Sequence, residues 1–204
     1  MDEATFVKRM SQYMPEPACK LGYKWLSKYP SKLRITKPRN SKLGDFRIKD
    51  RKSIPAISVN GDLNPYSFTI TFTHEVAHLI DWTERLSLKN PHGDSWKSVY
   101  VELLNQLQEN QAFPPELVPI IDRHIKSPKA ASCSDPILLE ELRKYDSSSS
   151  LILKEIHDGA KFRLKNSRVF ERGELRRTRY MCTEVSTGRV FLVHGQSEVE
   201  LVNP

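Results

Sequence analysis

The sequence predicts an α+β protein that ends in a small all-β module, and three observations carry that prediction. Apolar residues recur at helical spacing over 2–29 and again over 66–145. Between those stretches, residues 33–60 read as three short alternating strands. After "DSSSS" at 146–150 the pattern changes to period two and keeps it to the end. The expected division is a first domain over 1–145, a linker over 146–154 and a β-rich module over 155–204.

Residues 2–14 and 16–29 are expected as helices. In "EPACKLGYKWLSKY" the residues Ala18, Leu21, Trp25 and Tyr29 share one face, and Pro30 stops the helix. Leu33 and Ile35 alternate with charges, as do Phe46 and Ile48, so both stretches read as strands joined by the turn-rich "KPRNSKLG". "IPAISVNG" is a third strand ended by Asn60-Gly61. Asn64 as N-cap and Pro65 at the first position then open a helix over 66–85. Its expected core stripe is Phe68, Phe72, Val76, Leu79 and Thr83. A loop over 86–92 leads to a second long helix over 93–110, with Trp96, Val99, Leu103, Leu104 and Leu107 apolar. "FPPELVPIIDRHI" and "DPILLEELRKY" are shorter helices, the latter capped by Asp135. In the last segment "ERGE" and "STGR" are expected as hairpin turns.

The chain has 204 residues and a mean hydropathy of −0.53, a soluble composition with no apolar run of membrane-spanning length. No apolar signal core follows the basic start, so a cytoplasmic location is expected, without membrane contact. Cys19, Cys133 and Cys182 are far apart and form no CxxC pair, which excludes a cysteine-based zinc ribbon; they are expected as free thiols. The net charge of +7 is uneven: +9 over 1–52, −5 over 53–153 and +3 over 154–204. Basic flanks around an acidic middle suggest a polyanionic partner outside and chemistry within.

That middle contains "TFTHEVAHLIDW". On a helix, positions i and i+4 point the same way, so His74 and His78 can offer two imidazole nitrogens to one metal ion. Glu75 sits about 100° round the helix, given 3.6 residues per turn. It reaches a water at the ion more readily than the ion itself, as a metalloprotease requires. Chance produces HExxH in on the order of one chain of this size in a hundred, so a third ligand is needed to sharpen the reading. His92, in "NPHGDSW" fourteen residues after His78, fits a helix pair folded back on itself. Asp94 and Glu84 are the weaker substitutes. The expected ion is zinc, held by three protein ligands with a position left for water.

"THEVAHLIDW…NPHGDSWKSV" resembles the SprT-like zinc metallopeptidases, a family related to the DNA–protein crosslink protease Spartan. The family pattern is HExxH followed by HGxxW or HGxxF, and His74, Glu75, His78, His92, Gly93 and Trp96 fill it. "LRITKPRNSKLGDFRI…PAISVNGDL" also resembles the family's small sheet, and the likeness covers roughly residues 15–110. It implies a zincin-like core, a small sheet packed on the HExxH helix and the helix after it. It also implies a zinc peptidase linked to DNA. Many bacterial relatives add a cysteine-rich ribbon, and this chain departs there, so hydrophobic packing is expected to hold its last module.

The expected function is therefore a zinc-dependent endopeptidase with Glu75 as base, cutting protein or peptide, including proteins on DNA. The alternative is a nucleic-acid-binding protein with a structural zinc. Four further roles are read from position. Asp81 either receives an imidazole N–H or is a solvated carboxylate. Trp96 is core or substrate contact, and Tyr100 core or oxyanion donor. Asn60 ends an edge strand that pairs with an extended peptide. Residues 161–179 carry eight cations against two acids, with Phe162, Phe170 and Tyr180 interleaved. They read either as a surface for single-stranded DNA or duplex ends, centred on Arg176, Arg177 and Arg179, or as a solvated strand face with the aromatics inward. A monomer is expected.

Overall fold

A computed structural model describes residues 1–39, 42–50, 52–85, 90–129, 135–147 and 151–202. Cys133, the start of the 86–92 loop and the serines at 148–150 lie outside the described residues. The chain divides into two compact units, Met1–Ser147 and Ser148–Pro204. Among the described residues no helix is long and apolar enough to cross a membrane.

The first unit is mixed α+β. Its elements are α1 (Glu3–Met10), α2 (Glu16–Lys28), β1 (Lys32–Thr36), β2 (Gly44–Arg47), β3 (Ala56–Asn60), α3 (Pro65–Arg85), α4 (Asp94–Glu109), α5 (Val118–Lys126) and α6 (Pro136–Arg143). Helix α3 starts where its cap predicts: the Asn64 Oδ1 accepts from the Tyr66 and Ser67 amides at 3.1 and 2.9 Å. "TFT" and "TIT" are β-branched sequences that lean toward strand, yet here they are helical. Burial decides the matter. Every residue from 68 to 77 is buried, because β2 and β3 cover one side of α3 while α2 and α4 cover others. Thr69 and Thr73 satisfy their hydroxyls inside that packing by donating to the carbonyls four residues back. The expected stripe of Phe68, Phe72, Val76 and Leu79 is inside, joined by Ile70 and Ala77, whereas Thr83 is exposed.

The three-stranded sheet has the order β1-β3-β2. β1 runs parallel to β3 and β2 antiparallel to it, so the two consecutive strands flank the third and do not pair with each other. Leu33, Ile35, Gly44, Phe46, Ile57 and Val59 fall on one face by register. Ile57 and Val59 on that face are fully buried. Strand β3 is central, which corrects the expectation that Asn60 ends an edge strand. Asn60 is 1% exposed and serves the loop after β1: its Oδ1 accepts from Arg39 Nε at 2.8 Å and its Nδ2 donates to the Arg39 carbonyl at 3.2 Å.

The second unit is an antiparallel sheet in the order β7-β6-β5-β4-β8, from β4 (Lys161–Arg163), β5 (Val169–Arg176), β6 (Arg179–Glu184), β7 (Val190–His194) and β8 (Glu200–Leu201). Its core holds Leu153, Phe162, Phe170, Tyr180 and Cys182. Ile152 bridges to Glu198 and is fully buried, so 151–154 belong to this unit and not to the linker. "ERGE" is not a turn: Gly173 sits in a bulge of β5, where a Cβ would stand 2.5 Å from the Met181 carbonyl. The reversal comes at Arg177-Thr178, with Arg177 at φ 63°. "STGR" does turn, with Gly188 at φ 68°.

Because each unit has its own apolar core, a chain ending at Ser147 should fold cooperatively without the sheet that follows. Circular dichroism on heating checks this. A fragment with no thermal transition would show that the second unit completes the first one's core.

Candidate metal centre

Three histidines from two elements meet at one point. His74 and His78 are one turn apart on α3, and His92 lies two residues ahead of α4. Their Nε2 atoms form a triangle with sides of 3.0, 3.2 and 3.3 Å. Those atoms are the only group of three or more potential ligands converging in this way among the described residues. An ion about 2.0–2.1 Å from each nitrogen in tetrahedral geometry separates its ligands by about 3.3 Å. The triangle therefore suits a small cation, and a His₃ donor set is one that zinc, copper, iron and nickel accept.

The protonation states suit it too. Burial drives the His74 pKa down to about 3, helped by His78, His92 and His124. Burial, with His92, takes His78 to about 4, and burial also lowers His92. All three rings are thus neutral near pH 7 and can present lone pairs. Trp96, fully buried, fixes the rings by lying 4.6, 5.2 and 4.8 Å from His74, His78 and His92 between centroids. That contact makes Trp96 a wall of the centre as well as a core residue. Gly93 has ordinary φ; its constraint is the Asn90 side chain, 2.8 Å from where a Cβ would stand.

Strand β2 closes the other side. Phe46 stacks on His78, with centroids 6.2 Å apart and planes at 14°. Two residues earlier Gly44 faces Glu75 so closely that a Cβ would stand 2.4 Å from Oε1. One strand face thus spans the first histidine pair and the glutamate. Glu75 is 6% exposed. Burial, then the Asp45 carboxylate, pushes its pKa up to about 8 against Arg39, Lys42 and a hydrogen bond from the Phe46 backbone. Sequence reasoning missed Gly44 and Phe46. The signal was present in "GDFR", where a period-two strand carries a glycine on its apolar face.

Asp81 is buried one turn beyond His78 and accepts a hydrogen bond from the Ser95 hydroxyl, which ties α3 to the first turn of α4. Tyr100 is fully buried behind Trp96 and His74 and belongs to the core. In the second unit Arg176, Arg177 and Arg179 are exposed at the β5–β6 hairpin tip. Phe162, Phe170 and Tyr180 are core residues at 0%, 1% and 8% exposure, as the second reading of this run, with the aromatics inward, expects. On a period-two strand neighbours alternate, so Lys161 and Arg163 point away from Phe162 and Arg179 away from Tyr180. Arg168 and Arg172 are engaged as well, with Glu184 and Asp158.

The shifted groups set the pH dependence of the metal-free protein. His74 and His78 are neutral when folded, but an unfolded imidazole takes a proton below its ordinary 6.5, so stability falls as pH drops from 6.5 toward 4. Glu75 acts in the opposite sense. Its folded form keeps a proton that the unfolded chain gives up above 4.5, so stability falls as pH rises toward 8. The melting temperature of metal-free protein should therefore peak near pH 6.5, and Glu75→Gln should remove the decline on the alkaline side. An unchanged alkaline slope in that variant would show that Glu75 is ionised when folded. Comparison of the whole chain with protein-family models, with curated proteins and with solved structures finds no match.

Proposed function

We propose that the first unit is a zinc-dependent endopeptidase of the SprT-like kind, with a zincin-like core. The observation that carries this reading is Glu75, a buried carboxyl held under Gly44 by the same strand that covers His78. A purely structural metal needs no acid there, and a carboxyl buried at a cost in stability points to a functional reason for its retention.

His74, His78 and His92 would hold the ion, and a set of three protein ligands would let it take up a water as well. Zinc in such a site supplies Lewis acidity, acidifying water and polarising a carbonyl. Glu75 takes the proton from the attacking water and returns it to the departing amine, so a single carboxyl acts first as base and then as acid. The burial that raises its pKa suits the second step, and a cation held by the three histidines would favour the ionised form for the first. Phe46 and Trp96 keep bulk water off the histidine rings. The edge strand β2 offers backbone groups against which an extended peptide can lie.

Glu75→Gln should retain zinc and lose about two to four orders of magnitude in peptide hydrolysis. His92→Ala should lose zinc on dialysis against a mild chelator. Metal analysis beside a casein assay measures both, and a Gln variant as active as the parent would remove Glu75 from the mechanism.

The exposed arginines of the β5–β6 tip support a second element of the proposal, contact with DNA through phosphates. The buried aromatics argue against base stacking, so single strands should have no advantage from it. Replacing Arg176, Arg177 and Arg179 together by Ala should weaken oligonucleotide binding and flatten the log–log salt slope while zinc content stays the same. Fluorescence anisotropy decides this, and an unchanged slope would place the contact elsewhere.

A further inference from the structure

Behind the metal centre, away from Glu75, lies a second set of buried polar groups. His124, in the last turn of α5, is 1% exposed and its Nδ1 lies 3.1 Å from the Asp135 Oδ2. Asp135 is the N-cap of α6, and its Oδ1 accepts from the Ile137 and Leu138 amides. The carboxylate can only accept, so His124 places its proton on Nδ1 and leaves Nε2 as an acceptor. Tyr100 separates His124 from His74: its ring meets His124 edge-on at 5.9 Å and His74 edge-on at 5.7 Å.

The inventory of donors and acceptors is complementary. His74 turns Nε2 to the metal centre, so its proton is on Nδ1 and points the other way. His74 Nδ1, Trp96 Nε1 and His124 Nε2 are buried and find no hydrogen-bond partner among the described residues. Two of these are donors and one is an acceptor. Buried polar groups are rarely left unpaired, and a bridging water is the usual partner where the protein supplies none.

We propose that His124, anchored by Asp135, is a positioning residue for the metal ligand His74, joined to it by a buried hydrogen-bond relay through a bound water. Every bond in the relay runs one way, from His74 Nδ1–H toward the carboxylate. The relay fixes the tautomer and the ring plane of His74 and makes its Nε2 a better donor to a cation. This rests on the metal-binding part of the proposed function and not on peptidase activity.

His124→Asn separates the relay from a simple tie between α5 and α6. The Asn amide reaches the Nδ1 position and keeps the bond to Asp135, but has nothing at the Nε2 position. Zn²⁺ affinity is measured by competition with a chromophoric chelator. The variant should bind zinc about 10–100-fold more weakly while metal-free melting is retained. The zinc-loaded parent should show a slowly exchanging imidazole N–H from His74 that the variant lacks. Equal affinity and an unchanged imidazole N–H in the variant would overturn the relay. If His124→Asn does not fold, Asp135→Asn decides, since it keeps an oxygen for the α6 cap but reverses the preferred tautomer of His124; parental affinity there overturns the relay. A parent chain that binds no zinc overturns the metal reading itself, a failure seen before any variant is made.

Discussion

Helix α3 must be the centre of an apolar core and at the same time keep His74, Glu75 and Asp81 inside it. The rest of the first unit is arranged around that conflict. A buried polar group is tolerated only when it is neutral or paired. His74 and His78 resolve the problem by shedding their protons, Glu75 by holding its own, and Asp81 through Ser95. The convergence of three neutral imidazoles is a consequence of the same burial. Exposed histidines would be charged half the time near pH 6.5 and would repel each other.

Topology follows from the need to cover both sides of that helix. A simple meander would put β2 in the middle of the sheet. With β3 in the middle, β2 becomes the edge, and an edge strand can pass over Glu75 and His78 with one rim free. Gly44 is the residue this requires, because any side chain there would meet the carboxyl of Glu75. Asn60 and Arg39 fasten the loop that carries the chain from β1 to β2, so the role of Asn60 is to hold that path.

In the second unit the same separation of polar and apolar is achieved by alternation. Phe162 and Phe170 stack inside at 5.8 Å, and Arg163 and Lys165 between them are exposed. Arg172 lies on the Tyr180 ring at 4.0 Å and Arg168 on Phe191 at 4.5 Å, so part of the basic run covers the core's margin with its own side chains. The arginines at the hairpin tip are exposed and take no part in that cover.

The sequence by itself determined where α3, α4 and α6 start and stop, though not the end of α1 or the start of α5; it also determined which residues could ligate a metal, and where the chain changes from helical to alternating pattern. Those are local properties: a cap at Asn64, a spacing of four between His74 and His78, a glycine turn at Gly188. It also determined that His92 lies within loop's reach of the pair. Tertiary structure alone decided which strand is central, which face of β5 is buried, and that Arg177-Thr178 turns where "ERGE" does not. It alone brought Gly44 to Glu75, Phe46 to His78 and His124 to the back of Tyr100. The reason is physical. Capping and helical spacing depend on neighbours within four residues, whereas strand order and burial depend on partners tens of residues away, whose contribution enters only when the core closes.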